Sequence, residues 1–436
     1  MSSVFERAQE VLARSSRCEL RGHVTEVRGL LIEGTGPQVP LGSHVTIRNG
    51  VQAVPAQVIG FRQDKVLFMP FGEMQGIAPG FAITAGEGTC HIRVSDELRG
   101  RVIDALGNPL DGRPLPVMEH SVPLYREPPN PVTRRRITDP LDIGVKAING
   151  LLTVGQGQRV AIMAGSGVGK STLLGMIAQK ATSDVNVIAL VGERGREVRE
   201  FLERDLGPEG LARSVVVVAT GDQSALLRIR AAFLATAIAE FFRDEGKSVT
   251  LMVDSVTRLA MAQREVGLAA GEPPSTRGYT PSVFAMLPRL LERAGTCAGH
   301  GSITGLYTVL VEGDDMNEPV ADAVRGILDG HIVLSRRLAG RGHYPAIDAL
   351  QSISRVMSDI VNPEVTKMAN EIREILASYQ DAEDLITIGA YKPGQNGRVD
   401  RAVQRIEKVQ EFLRQGINER VPLERCWLSM GQILQG

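Results

Sequence analysis

The 436-residue sequence is 43% hydrophobic and 23% charged, which fits a folded globular protein and excludes a disordered chain. Its 49 basic and 50 acidic residues nearly cancel, so the strongly basic field of a nucleic-acid-binding protein is absent. The net charge does not exclude a local basic channel. No apolar run approaches the roughly 18 residues of a membrane-spanning helix, and we expect no signal peptide. Cys18, Cys90, Cys297 and Cys426 form no CxxC pair, which favours reduced thiols in a cytoplasmic protein.

The chain begins with a segment, residues 1–19, that we predict to be an amphipathic helix. Its apolar residues recur at helical spacing: Val4, Phe5, Ala8, Val11 and Leu12. So short a helix is marginal in water and is expected to need a partner surface; the alternative is a helix that packs on its own domain or frays.

Residues 20–95 change to short β-like runs separated by glycine and proline turns, as at 44–48, 56–61 and 65–69. Several short strands at this spacing predict a small closed barrel. The following segment, 98–140, is rich in Gly, Pro and Arg and is predicted to be a connector. We expect its arginine triplet, 134–136, to be a solvated or subunit-contact surface rather than a nucleic-acid patch.

Residues 96–361 are predicted to form a second domain with a parallel αβα sheet. Near-continuous apolar runs at 187–191, 215–219 and 249–253 are typical of strands buried on both faces, and helical stretches lie between them. Residues 362–436 read as mainly helical, which predicts a helical C-terminal domain.

A glycine-rich loop lies between an apolar run at 159–163 and a helical pattern at 172–178, the order that a phosphate-binding loop requires. The loop reads Ala164-Gly165-Ser166-Gly167-Val168-Gly169-Lys170-Ser171, followed by Thr172. The glycines let backbone N–H groups turn toward phosphate oxygens, and the helix adds its positive N-terminal end. We therefore predict a nucleoside triphosphate site, with Lys170 reaching the β- and γ-phosphates and Ser171 ligating Mg²⁺.

Two carboxylates follow apolar strands downstream of this loop. Glu193 comes directly after the 187–191 run, and Asp254 ends the 249–253 run in the Walker-B pattern. In an open α/β sheet the carboxyl ends of the strands lie beside the phosphate loop. We predict that Glu193 orients the attacking water as general base and that Asp254 binds Mg²⁺ through a water or through Ser171. The alternatives are a salt-bridged surface glutamate and an aspartate that caps a helix.

Further motifs carry a resemblance to a known family. Pro345-Ala346-Ile347-Asp348 followed by Ser352-x-Ser354 resembles the signature of the α/β subunit superfamily of rotary ATP synthases, and Gly192-Glu193-Arg194 matches its catalytic-glutamate segment. The stretches 271–284 and 311–319 resemble the type III secretion ATPases, flagellar and virulence-associated. The resemblance covers the chain from about residue 20 onward, and the phosphate loop with 382–386 and 389–391 looks more flagellar than virulence-type.

The resemblance implies an α/β fold with a small N-terminal β-barrel, a central RecA-like P-loop αβα domain and a helical C-terminal domain. It also implies ATP and Mg²⁺ as cofactors. Arg355 corresponds to the arginine finger that enters the neighbouring subunit's site, Tyr344 to the aromatic that stacks on adenine, and Arg194 to a residue that orients Glu193 or senses the γ-phosphate. The alternatives are an arginine paired within its own domain and a tyrosine that serves packing.

A finger that acts in trans implies a ring, and this chain carries every part that a homohexamer needs. The resemblance further implies a stator-like regulator at the N-terminus, a stalk protein in the ring's centre, and chaperones and export substrates at the C-terminal domain. The ring would lie in the cytoplasm, peripheral to a membrane export gate, with no nucleic-acid partner.

Four functions stay open at this stage. The leading one is an export ATPase, flagellar or virulence-type. The others are a catalytic subunit of a rotary ATP synthase, a hexameric nucleic-acid translocase and a non-enzymatic nucleotide-binding subunit.

Overall fold

The computed structural model describes residues 20–435 apart from 51, 87–90, 312 and 314, so the helix predicted at 1–19 lies outside the described residues. The described residues fall into two compact units. One contains the residues through His91 together with Ser224–Leu226 and Glu265–Pro273, and the other contains the remainder. Within the described ranges, no helix combines the length and the apolar content that crossing a membrane requires.

The first unit is built around a closed antiparallel barrel with the strand order β1-β2-β5-β4-β3-β6 among its described residues. Alternate side chains point inward: Val45 and Ile47 of β3 are buried, whereas Thr46 between them is not. The strands are β1 (Arg21–Arg28), β2 (Leu31–Gly34), β3 (His44–Asn49), β4 (Gln52–Arg62), β5 (Lys65–Pro70) and β6 (Ala82–Ala85). The barrel predicted from the sequence is confirmed.

The second unit contains a large sheet with the order β19-β18-β12-β17-β15-β13-β14-β8, to which β16 adds beside β17. The strands from β18 to β8 run parallel, and β19 is antiparallel to β18. The remaining strands are β7 (His91–Val94), β8 (Arg101–Asp104), β9 (His120–Pro123), β10 (Pro140–Leu141), β11 (Val154–Gly155), β12 (Arg159–Ala164), β13 (Val185–Val191), β14 (Ser214–Ala219), β15 (Ser248–Asp254), β16 (Gly295–Thr296), β17 (Ser302–Leu310), β18 (Gly330–Leu334) and β19 (Ile347–Ser354). The three apolar runs of the sequence form β13, β14 and β15, neighbouring parallel strands in the interior of this sheet, as predicted.

Helices connect and cover these strands. They are α1 (Lys146–Leu151), α2 (Lys170–Lys180), α3 (Gly195–Glu200), α4 (Gly207–Ala212), α5 (Ala225–Asp244), α6 (Val256–Ala270), α7 (Pro281–Leu291), α8 (Pro319–Ile327), α9 (Arg336–Gly340), α10 (Met357–Ile360), α11 (Pro363–Thr387), α12 (Gly397–Leu413) and α13 (Leu423–Gln435). A π-helical turn, Phe201–Leu206, joins α3 to α4. The predicted helical C-terminal region is confirmed as α11 to α13.

The C-terminal helices share one core with the large sheet. Phe412 and Met430 are buried against α1, where a methyl group on Gly150 would lie 3.0 Å from each side chain. This close approach explains a glycine inside α1, because any larger residue would push the C-terminal helices away.

The connector predicted at 98–140 is wrong at Arg101–Asp104, which form β8 at the edge of the large sheet, parallel to β14. The Arg101 guanidinium forks onto Asp111 at 2.7 and 3.0 Å, and this contact folds the following turn back onto the strand. In the arginine triplet, Arg135 and Arg136 are exposed as expected, and only Arg134 differs. Arg134 donates to the carbonyls of Glu292 and Ala294, so it anchors a neighbouring loop rather than facing solvent.

Candidate active site

The phosphate-binding loop connects the end of β12 to the start of α2 at Lys170. Gly167 and Gly169 adopt left-handed backbone angles, with φ of 77° and 91°, which side chains rarely adopt. Gly169 is the N-cap of α2 and supplies no side-chain acceptor, so the first N–H groups of the helix are left for a ligand. Val168 points the other way, into the core.

Lys170 lies between two carboxylates from neighbouring strand ends. Its Nζ is 2.5 Å from Asp254 Oδ1 and 3.2 Å from Glu193 Oε1. Burial works against the charge of Lys170, but the coulombic effect of Asp254 and Glu193 prevails and raises the pKa of the ammonium. The three predicted residues therefore meet at one point beside the loop.

Glu193 is 8% exposed, and its environment sets its proton affinity. Burial raises the pKa of its carboxyl to about 7, against the lowering effect of the Lys170 ammonium. A carboxylate that titrates near neutrality is suited to accept a proton from water.

Asp254 ends β15 and is held from two sides. Its Oδ1 accepts a hydrogen bond from Thr308 Oγ1 at 2.6 Å in addition to the contact with Lys170. Thr308 lies on β17, the next strand of the sheet, so adjacent strands fix the direction of this carboxylate.

Arg258 contacts Glu193, whereas Arg194 lies elsewhere. Arg258 Nη2 is 3.4 Å from Glu193 Oε2, and its Nη1 donates to the Gly192 carbonyl. Arg194 is 82% exposed and lies 3.7 Å from Glu197, at the start of α3. Its predicted role toward Glu193 or the γ-phosphate stays a prediction.

A cleft of about 490 Å³ opens over the loop, within the size range of ligand sites. Loop residues line it: Gly165, Ser166, Gly167, Gly169, Lys170, Ser171 and Thr172. Sequence reasoning missed three cations on its walls, Arg204, Arg258 and Arg336. No short-range signal marks them, because each sits in a helix or turn far along the chain from the loop.

Tyr344 flanks the same loop. A methyl group on Gly169 would lie 3.8 Å from ring atoms Cδ1 and Cε1 of Tyr344, whose side chain is half-exposed. The Tyr344 carbonyl accepts a hydrogen bond from the backbone N–H of Gln415 at 2.9 Å, so the segment after α12 supports this residue.

Arg355 follows β19 and lies apart from the other site residues. It is exposed, and in the part of the chain that the structure describes it is not among the residues that line the cleft. Its Nη2 donates to the Arg325 carbonyl at 3.3 Å, and its backbone N–H donates to the Asp329 carbonyl at 3.0 Å.

The donor set fits a nucleoside triphosphate with a divalent cation. Backbone N–H groups at a helix N-terminus and an ammonium suit phosphate oxygens. The Ser171 hydroxyl and the Asp254 carboxylate are oxygen ligands of the kind that Mg²⁺ prefers. The sheet, the loop and the Glu193–Lys170–Asp254 cluster define a P-loop nucleoside triphosphate hydrolase.

Comparisons with known proteins agree with this class. The family model "ATP synthase alpha/beta family, nucleotide-binding domain" matches residues 144–354, and the model "T3SS EscN ATPase C-terminal domain" matches residues 361–432. The chain is 56% identical to the flagellum-specific ATP synthase of Bacillus subtilis, over 92% of each chain. It is 48% identical to the type 3 secretion system ATPase of Xanthomonas euvesicatoria, over 95% of this chain and 93% of that protein. The chain therefore belongs to the family of flagellar and type III secretion ATPases.

Solved structures give the same result. The assembled ATPase EscN from the type III secretion system of enteropathogenic E. coli aligns with a TM-score of 0.89 at 45% identity, covering 95% of this chain and all of that one. EscN in complex with its central stalk EscO aligns with a TM-score of 0.88 at the same identity and coverage. This chain is an ATPase with the fold expected from its sequence.

Proposed function

We propose that this chain hydrolyses ATP in a homohexameric ring that drives flagellar protein export, and that each active site is completed by Arg355 of the neighbouring subunit. One observation carries the proposal: Lys170, Glu193 and Asp254 converge on the phosphate loop, whereas Arg355 is exposed and follows β19, which ends beside the start of β18 at the opposite edge of the sheet. A guanidinium presents planar, bidentate donors that match phosphate oxygens, so an exposed Arg355 suits a site on another subunit.

Within one subunit, the residues divide the work on ATP. Lys170 leaves its contacts with Asp254 and Glu193 and binds the β- and γ-phosphates, while the loop N–H groups hold the phosphate chain. Ser171 and Asp254 would hold Mg²⁺, which neutralises phosphate charge when bound. Tyr344 would stack on the adenine.

The chemical step is the attack of water on the γ-phosphorus. The water oxygen forms the new P–O bond as the bond to the β-phosphate oxygen breaks, and ADP leaves with that electron pair. Glu193 accepts the proton of the attacking water, and Arg355 of the neighbouring subunit stabilises the charge on the transferring phosphoryl group.

The assembly and the partners rest on relatives. EscN forms an assembly and binds a central stalk, EscO. We extend both properties to this chain, and we further propose a stator-like regulator at residues 1–19, chaperones and substrates at α11–α13, and a location peripheral to the inner-membrane export apparatus. Flagellar relatives are 44–56% identical to this chain and a type 3 secretion relative is 48% identical, so the flagellar branch rests on the phosphate loop and the segments 382–386 and 389–391. Restoration of motility in a strain that lacks its own flagellar ATPase tests this assignment.

A mixture of two inactive variants tests the shared site. Glu193→Gln removes the base but keeps Arg355, and Arg355→Ala removes the finger but keeps the base. In a random one-to-one ring about a quarter of the sites pair an intact base with an intact neighbouring finger, so about a quarter of wild-type activity should return. A mixture as inactive as its components would mean that each site is built from one chain.

A further inference from the structure

An ion pair joins the strand that ends in the phosphate loop to Asp329, whose backbone contacts Arg355. Arg159 opens β12, and Asp329 lies between α8 and β18. The Arg159 guanidinium forks onto the carboxylate, with Nε–Oδ2 at 3.0 Å and Nη2–Oδ1 at 3.2 Å. The Arg159 backbone N–H adds a third bond to Oδ2 at 3.1 Å. Bidentate pairs of this kind fix orientation as well as charge.

Asp329 also holds Arg355 through its backbone. The Asp329 carbonyl accepts the Arg355 N–H at 3.0 Å and Gln158 Nε2 at 3.1 Å. Gln158 is fully buried, and the same Nε2 donates to Ser354 Oγ at 3.1 Å. The serine directly before the finger is therefore tied to the residue directly before Arg159.

These contacts hold the Ser-x-Ser-Arg end of β19 in place. Ser354 Oγ donates to the Thr153 carbonyl at 2.9 Å, so the backbone at 354 and 355 is fixed at two points. The Arg355 side chain extends from this fixed base to the surface. A finger that must meet a phosphate on another molecule benefits from such a base, because a misplacement of about 1 Å can lower a rate roughly 100-fold.

We propose that Asp329 is a positioning residue for Arg355, and that its fork with Arg159 joins a subunit's own phosphate-loop strand to the finger that serves its neighbour. The proposal rests on the proposed action of Arg355 in trans. A shift of β12 that accompanies nucleotide binding would reach Arg355 through Asp329, in addition to the Gln158–Ser354 contact. The competing role is local: Asp329 could support only the β12 strand of its own site.

The substitution Asp329→Asn separates these roles, because it removes the ionic fork and keeps the side-chain volume. We expect ATP binding within about twofold of wild type and at least about tenfold lower hydrolysis by the ring. Mixing Asp329→Asn with a second inactive variant then shows which site is defective. Glu193→Gln supplies an intact Arg355 finger and should restore hydrolysis in the mixed ring, whereas Arg355→Ala supplies no finger and should not. Rescue by Arg355→Ala alone would place the defect in the site of the Asp329→Asn chain itself and would overturn the proposal. Full activity of Asp329→Asn, or rescue by neither variant, would also overturn it.

Two further measurements keep this test decisive. If Asp329→Asn loses its cooperative thermal unfolding, Arg159→Lys takes its place, since it keeps the charge and loses the fork, and the same rescue pattern is expected. Asp96→Asn is the matched control, because Asp96 forms an exposed ion pair with Lys247 at 2.6 Å and should leave activity unchanged. Should the Glu193→Gln and Arg355→Ala pair itself fail to recover activity, the shared site is wrong, independently of Asp329.

Discussion

The phosphate cleft and the Arg355 edge differ in how their charged groups are held. In the cleft, the Lys170 ammonium lies within 3.2 Å of two buried carboxylates, so its charges are paired before any ligand arrives. At the other edge, Arg355 faces solvent and its guanidinium meets a neutral carbonyl. A paired, desolvated cluster can bind and orient within one chain, whereas an exposed cation on a fixed backbone is suited to act on another molecule.

Arg355→Ala tests the exposed side of this comparison and should have the largest effect. Arginine fingers in other nucleotide hydrolases contribute about 10³- to 10⁵-fold in rate, so we expect a loss in that range with ATP affinity retained. Steady-state hydrolysis and equilibrium ATP binding measure the two quantities. Arg398→Ala is the control, because Arg398 is an exposed arginine of α12 paired with Glu374. A loss of binding equal to the loss of rate would place Arg355 in its own site.

Glu193→Gln tests the paired side. General bases contribute about 10²- to 10⁴-fold, and the amide keeps the shape of the side chain while it cannot accept the proton. We therefore expect hydrolysis to fall in that range and ATP binding to persist. Glu200→Gln, an exposed glutamate paired with Arg196, should behave as wild type. Substantial turnover by Glu193→Gln would transfer the base role to another group.

Tyr344→Ala should act on affinity rather than on chemistry. Stacking of a base on an aromatic side chain contributes about 1–3 kcal/mol, so KM for ATP should rise roughly 5- to 150-fold while kcat changes little. Tyr344→Phe keeps the ring and should restore KM. An unchanged KM in the alanine variant would assign Tyr344 to packing beside Gly169.

The pH dependence should show the smallest effect. Glu193 must be ionised to accept a proton, and its pKa of about 7 means that the ionised fraction rises as pH rises through neutrality. We expect kcat/KM to increase roughly tenfold between pH 6 and pH 8. A flat profile over this interval would show that the ionisation of Glu193 does not limit the free enzyme.

Much of the fold was predictable because its strands are distinctive. Parallel strands buried on both faces need continuous apolar runs, and 187–191, 215–219 and 249–253 supplied them. β8 was missed because its four residues, Arg101–Asp104, lie in a segment rich in Gly, Pro and Arg, and its pairing with β14 is a long-range contact. Local composition cannot reveal such a partner.

The site divides in the same way. The glycine spacing and the strand ends predicted the residues near the loop, because the backbone of the loop requires glycines and the strands end beside it. Arg258 had no such signal: it lies 65 positions after Glu193 on α6, yet it makes the contact with Glu193 that the family resemblance implied for Arg194. Asp329 was also invisible, because its connection to Arg355 runs through a backbone carbonyl.

The most direct test of a site shared between chains is ATP hydrolysis per chain against protein concentration, with ATP binding and sedimentation measured on the same samples. We expect binding per chain to stay constant on dilution, while hydrolysis per chain falls as the ring dissociates. Hydrolysis that stays constant while sedimentation shows monomers would contradict a shared site, because each chain would then complete its own.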